Sequence, residues 1–239
     1  MKRLGVNIDH VATVRNARGS FHPDPFDIAK HVMECGAHSI TIHLREDRRH
    51  IKDLDVFKIC KSKKIVTNLE ISLNDEILKI AMKNKPNFIC IVPEKRKEIT
   101  TEGGLNLLKN KKKIKRIISK FKKKNIRTSL FVDPNLNDIE IAKDLDVDCV
   151  ELHTGKISDL VKNNKNYNYE YKKIKKCCVL AKKLKLEVHA GHGLDYKTTE
   201  ILSKLKEIEE FNIGHFIIGE SIVHGLKKTI KKFKKISNK

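Results

Sequence analysis

Eight short runs rich in valine, isoleucine and leucine recur along the chain, each bounded by polar residues or glycine: LGVNID (4–9), SITIHL (39–44), IVTNLEI (65–71), FICIV (88–92), RTSLFV (127–132), CVELHT (149–154), LEVHAG (186–191) and HFIIGE (215–220). Their length and composition are those of buried β-strands. The stretches between them repeat apolar residues every three or four positions, as in Ile28, Val32 and Cys35, or Ile77, Ile80 and Ala81, which is the period of an amphipathic helix. Asp75 and Asn137 stand where helix N-caps are useful, and Gly36 suits a C-terminal cap. Strands alternating with helices pair in parallel through crossover connections, and eight such units close into a (β/α)₈ TIM barrel. A doubly wound open sheet is the competing architecture, but no GxGxxG follows the first run. Connections 93–126 and 155–185 exceed a bare helix, and the second holds KNNKNYNY, a surface loop or helix extension. A single barrel domain over residues 1–239 is the predicted organisation.

Charge changes this picture less than its size suggests. Lysine and arginine total 51 against 30 acidic residues, a net charge of +21, which invites a nucleic-acid reading. The lysines concentrate in residues 109–124 and 227–239, where Ile114, Ile117, Ile118 and Phe121, then Ile230, Phe233 and Ile236, keep helical spacing. Amphipathic helices with lysine-rich wet faces account for that pattern. Few aromatics and no tryptophan stand ready to stack on bases, so no nucleic-acid partner is expected, whereas phosphorylated small molecules suit the charge. No apolar run approaches the ~20 residues of a membrane span, and Val6-Asn7-Ile8-Asp9 interrupts the basic start before a signal peptide forms. Six cysteines without a CxxC pair read as reduced thiols of a cytoplasmic protein.

A barrel's chemistry sits where its strands end. His10, His43, His153 and His192 fall there with Asp9, Glu70 and Glu151; His215 opens the last run, unless Asn212-Ile213-Gly214 forms a loop that presents it. His22, His31, His38, His50 and His224 lie outside these ends. Burying several imidazoles and carboxylates together costs free energy unless they work. A metal-dependent barrel hydrolase is the rival reading, with His43, His189 and His192 as nitrogen donors, but strand one lacks the paired histidines it needs. AGHGL (190–194) and NIGHFIIG (212–219) put small residues at the last two strand ends, where barrels bind phosphate. Arg15, Arg18, Arg45, Arg48 and Arg49 are candidates to clamp a second anion. These residues point to acid–base chemistry on phosphorylated small molecules and leave the reaction open.

GVNIDHVATVRNARG (5–19), HLREDRRHI (43–51), NLE (68–70), VPEKRKEITTEGGL (92–105), ELHTG (151–155), AGHGL (190–194) and NIGHFIIG (212–219) closely resemble the pyridoxine 5′-phosphate synthase family of bacterial vitamin B6 synthesis, colinearly from first strand to last helix. The resemblance implies a TIM barrel with extra helices, assembled from dimers as a homo-octamer (a tetramer of dimers), working without cofactor or metal. It implies ring closure between 1-deoxy-D-xylulose 5-phosphate and 3-amino-2-oxopropyl phosphate. By that resemblance Asn7, Arg18, Gly193, Gly214 and His215 hold the aminoketone phosphate, and Asp9, His10, Arg45, His50 and Thr100 the deoxyxylulose phosphate. His43 and Glu70 match the family's bases, His192 its general acid and Glu151 a transition-state stabiliser. Glu70 then needs a raised pKa, to which apolar neighbours such as Leu69 and Ile71 are expected to contribute. Residues 93–104, with Gly103-Gly104 as hinge, form a candidate lid. One departure stands out: His189 replaces an expected asparagine and, if it points inward, changes the hydrogen bonding behind His192.

Overall fold

Strands β1 (Arg3–Asn7), β2 (Ser39–His43), β3 (Thr67–Ile71), β4 (Phe88–Ile91), β5 (Arg127–Val132), β6 (Cys149–His153), β7 (Glu187–Gly191) and β8 (Ile208–Ile213) pair in parallel, each with the next. Pairing of β8 with β1 closes the barrel and removes the open-sheet alternative. These elements come from a computed structural model that describes residues 1–94 and 103–238.

An outer ring holds α2 (Pro25–Glu34), α3 (Asp53–Lys61), α4 (Asp75–Asn84), α5 (Leu107–Lys122), α6 (Leu136–Asp144), α8 (Asn168–Lys183), α9 (Tyr196–Ser203) and α11 (Leu226–Ser237). Three further helices follow strands directly: α1 (Asp9–Arg18) after β1, α7 (Gly155–Lys162) after β6 and α10 (His215–His224) after β8. The long connection 155–185 is thus α7 and α8, with KNNKNYNY running from one into the other. Among the described residues no helix is long and apolar enough to cross a membrane.

Strand side chains alternate between faces. Leu4, Val6, Ile40, Ile42, Leu69 and Ile71 point outward into the main core beneath the helices. The lysine-rich helices behave as their periodicity predicts: α5 buries Ile114, Ile117, Ile118 and Phe121, and α11 buries Ile230, Phe233 and Ile236. The barrel interior is mostly polar instead, with Cys90 and Phe131 as an inward apolar patch. At its floor Arg3 pairs with Glu210 at 2.7 Å and with Glu187, which also binds Arg127 at 2.8 Å and His189 Nε2 at 2.8 Å.

Two expectations need correction. The eighth strand is IEEFNI, and residues 215–220 open helix α10. Glu209 and Glu210 break the apolar signal, yet both are satisfied, Glu209 by Lys182 at 2.5 Å and Glu210 by Arg3. A short apolar run such as HFIIG cannot be told from a buried helical turn by periodicity. The N-caps are Asn74 and Asn135, whose side chains accept from the amides of Glu76 at 2.8 Å and Asn137 at 3.0 Å; Asp75 is already helical. Gly36, with φ +97°, follows the C-cap Cys35 as expected.

Candidate active site

The C-terminal ends of β1, β2 and β3 assemble one half of the mouth. Asn7 closes β1 and donates through Nδ2 to Asp9 Oδ2 at 2.9 Å, while Asp9 Oδ1 accepts from the backbone amide of His43 at 2.9 Å. Parallel register sets His43 beside Glu70, with Nδ1 3.7 Å from Glu70 Oε2. Burial pushes the Glu70 carboxyl well up, helped by the carboxylates of Glu151 and Asp9. Leu69 and Ile71 contribute nothing directly, since alternation turns both away into the outer core. Burial also pushes Asp9 up, against the pull of His43 and Asn7.

Across the barrel, Glu151 on β6 is buried and accepts from Asn212 Nδ2 at 2.7 Å. Asn212 Oδ1 accepts from Thr41 at 3.3 Å, and Thr41 Oγ accepts from Asn68 at 3.4 Å, so one hydrogen-bonded line crosses the interior. Glycines make the room. A Cβ at Gly5 would stand 2.0 Å from Asn212 Oδ1, and one at Gly191 2.0 Å from Glu151 Oε1. Burial raises the Glu151 carboxyl to about 7, with His189 and Asn212 holding it from going higher.

His192 follows β7 with φ +79° and Gly193 with φ +75°. Thr154 steadies this turn, its hydroxyl lying 2.7 Å from the carbonyls of both Gly191 and His192 and sharing its one proton between them. The His192 ring lies 5.0 Å from that of His153, which is held by Asp133 at 3.1 Å. Burial and the neighbouring His153 lower His192 to about 4. On the other side His10 lies 4.9 Å from His215 and 6.1 Å from His50, ring to ring. His50 sits against Thr13 at 2.7 Å, and burial, Arg45 and His43 lower it to about 4. A Cβ at Gly214 would meet Asn7 at 2.9 Å, so this glycine lets α10 begin against β1.

Most predicted site residues therefore share one mouth. Arg18 does not join them: it is exposed on the last turn of α1, roughly 13 Å along the helix from Asp9. Of the arginines read as anion clamps, Arg15 is buried against Asp55 at 2.7 and 2.9 Å, Arg48 is tied to Asp53 and Glu76, and Arg49 to Asp47. Arg45 alone among them is buried in the mouth. Thr100 and residues 95–102 of the candidate lid lie outside the described residues. Gly104 has a packing reason of its own, since a Cβ there would meet Asp133 N at 2.1 Å. His38 serves structure, accepting the Leu4 amide at 3.0 Å. His189 does point inward, but it bonds Glu187 at the floor rather than backing His192.

Thr41, Asn68 and Glu94 carry no candidate role in the sequence, and Asn212 enters there only as part of a loop before His215, whereas it lies on β8. A usable signal was present for three of them: a polar residue at each inward position of an otherwise apolar strand. Among the described residues, two groups bring three possible metal-ligating atoms within 4.8 Å, Asp9/His43/Glu70 and Cys149/Glu187/His189. Asp9 and Glu187 already serve partners of their own chain, and two guanidiniums beside Glu187 oppose a cation there.

A family model described as pyridoxal phosphate biosynthesis protein PdxJ matches residues 4–239. The chain is 80% identical over 239 residues to pyridoxine 5′-phosphate synthase of Pelagibacter ubique, covering 100% of both. It is 47% identical to the Zymomonas mobilis enzyme of that name, covering 97% of this chain and 90% of the other. Among solved structures, the tryptophan synthase A-subunit of Pyrococcus furiosus superposes with TM-score 0.60 at 14% identity, over 98% and 97% of the two chains. That likeness concerns the barrel alone.

Proposed function

The chain belongs to the PdxJ family of pyridoxal phosphate biosynthesis proteins, and from that premise we propose how its barrel mouth carries out pyridoxine 5′-phosphate synthesis. The observation that carries the reading is the facing of a His43–Glu70 pair by Glu151 and His192 across one polar barrel mouth. The rival reading, a metal-dependent hydrolase, yields to the family membership.

The amine of 3-amino-2-oxopropyl phosphate condenses with the ketone of 1-deoxy-D-xylulose 5-phosphate, and the adduct sheds water, inorganic phosphate and carbon-bound protons until the ring is aromatic. Each elimination needs a base on carbon and an acid on the departing oxygen. His43 and Glu70 are the bases. The raised carboxyl of Glu70 suits a group that accepts and returns protons near neutrality. His192 is the general acid; it rests neutral, and a bound anion beside it raises its proton affinity, so it charges with substrate in place. Glu151, fixed by Asn212, stabilises the cationic stage of condensation. No step calls for a metal or cofactor.

Phosphate recognition falls to Asn7, Gly193, Gly214 and His215 for the aminoketone and to Asp9, His10, Arg45, His50 and Thr100 for the deoxyxylulose phosphate. Helices α7 and α10 begin at the mouth without a side-chain cap, so their first amides are available to anions. Arg18 reaches a site in a neighbouring copy within a homo-octamer. Exposed Phe21, Ile222 and Val223, near the ends of α1 and α10, are the apolar surface such a copy covers. Six free cysteines suit the cytoplasm.

The test is to mix purified, chelator-treated protein with both phosphorylated ketones and follow product and free phosphate together. Equal release of the two supports the reading. A folded protein that binds both ketones and releases neither would overturn it.

A further inference from the structure

His43 Nε2, Glu94 Oε2 and the Nε and Nη2 of Arg45 are buried polar atoms without hydrogen-bond partners, and Glu94 lies 3.6 Å from both His43 Nε2 and Arg45 Nε. Native interiors leave few such atoms, and each asks for a reason. Glu94 follows β4 by three residues, and its side chain is only 2% exposed. Its Oε1 accepts from the amide of Glu46 at 2.9 Å and lies 3.6 Å from Arg45 Nε. Its Oε2 faces His43 Nε2 at 3.6 Å, just beyond hydrogen-bond reach. On the other edge of the ring, Nδ1 faces Glu70 at 3.7 Å. The imidazole is therefore strung between two carboxylates, one of which has no part in the acid–base scheme above.

We propose that Glu94 is the positioning residue of the His43 base, taking the Nε2–H so that Nδ1 is left free to accept a proton beside Glu70. When Nδ1 takes the substrate's proton, the ring becomes an imidazolium whose Nε2–H still faces the Glu94 carboxylate; returning the Nδ1 proton restores the starting state. A carboxylate behind an imidazole fixes its tautomer and stabilises the charge it gains. The charged and titratable groups facing His43 are Asp9 from α1, Glu70 from β3, Arg45 and His50 from the β2 connection, and Glu94, with Glu46 behind it. Burial alone would raise the Glu94 carboxyl; His43, the Glu46 amide and Arg45 outweigh it and hold the group below the usual carboxylate range.

This inference rests on His43 acting as a base, so the experiment separates the two. Glu94→Gln keeps an oxygen for the Glu46 amide and removes the charge. Its kcat should fall tenfold or more with KM within about threefold, and the acid limb of kcat/KM should move down by roughly one pH unit. In the ligand-free protein, the His43 imidazole titration followed by NMR should fall by a similar amount. Glu94→Asp should recover part of both. A role limited to anchoring the turn at Glu46 would raise KM and leave the pH profile and the His43 titration unmoved, and that result overturns the proposal. If the wild type proved inactive, the synthase reading would fail and the His43 titration would still decide the pairing.

Discussion

The side-chain amide of Asn212 reaches across the barrel interior to donate to Glu151 at 2.7 Å, over a strand position where Gly5 has no side chain to obstruct it. A buried carboxyl raised to about 7 is thereby given a fixed direction and one dedicated donor. Removing the donor leaves Glu151 more costly to ionise. Asn212→Ala should lower kcat at neutral pH by about tenfold or more, from a hydrogen bond to a charged group worth ~1.5–3 kcal/mol. The kcat–pH profile should move to higher pH. An unshifted profile would mean that Asn212 only fills space.

Gly191→Ala should force Glu151 out of place, because the new Cβ would stand 2.0 Å from Oε1. Overpacking of this kind costs about 1–3 kcal/mol, and activity should be lost beyond what the Tm change explains. Gly219→Ala is the control: it lies within α10 with no atom within 4 Å of its added Cβ. That change should stabilise the protein by about 0.5–1 kcal/mol. Thermal unfolding of both variants checks the contrast.

Stability should carry the imprint of His192. Its folded pKa is lowered from 6.5 to about 4, so the unfolded chain takes a proton the native protein refuses. The contribution is present above pH 6.5 and is lost as pH falls toward 4, at most about 3 kcal/mol. Asp9, Glu70 and Glu151, raised by burial, act with the opposite sign as pH falls, so wild type must be compared with a variant. His192→Asn tolerates the positive φ. Denaturant unfolding at pH 7 and pH 4.5 should find wild type losing ground to this variant; parallel losses would contradict the lowered pKa.

Arg15 reads as an anion clamp in sequence, yet the buried Asp55 occupies its guanidinium. Arg15→Ala should therefore destabilise the protein by about 3–5 kcal/mol, the cost of stranding a buried charge. The neighbouring Asn16 ties the carbonyl of His50 at 2.7 Å, so KM should rise modestly as this loop loosens. A large KM effect with unchanged stability would restore the clamp reading.

On the proposed assembly, Ile222→Asp should lower both the mass in solution and the activity that Arg18 of a neighbouring copy supports, since Ile222 is 82% exposed on α10. Light scattering after size-exclusion chromatography reads the mass. An undiminished mass would overturn this face as the proposed contact between copies.

The barrel is legible in the chain's local pattern. Seven of the eight strands, the lysine-faced helices and the histidines and carboxylates at strand ends are local signals, because period and end position depend only on neighbours in the chain. The eighth strand escapes such local signals for the same reason: the partner that makes Glu210 acceptable inside a strand, Arg3, is 207 residues away. Tertiary structure alone decided which polar residues meet. Asn68, Thr41, Asn212 and Glu151 form one line only after four strands close around them. Glu70 likewise owes its raised carboxyl to burial beside Glu151 and Asp9, not to Leu69 and Ile71, its neighbours in sequence. Desolvation and electrostatic coupling act through space, and the distances that set them exist only once the barrel is shut.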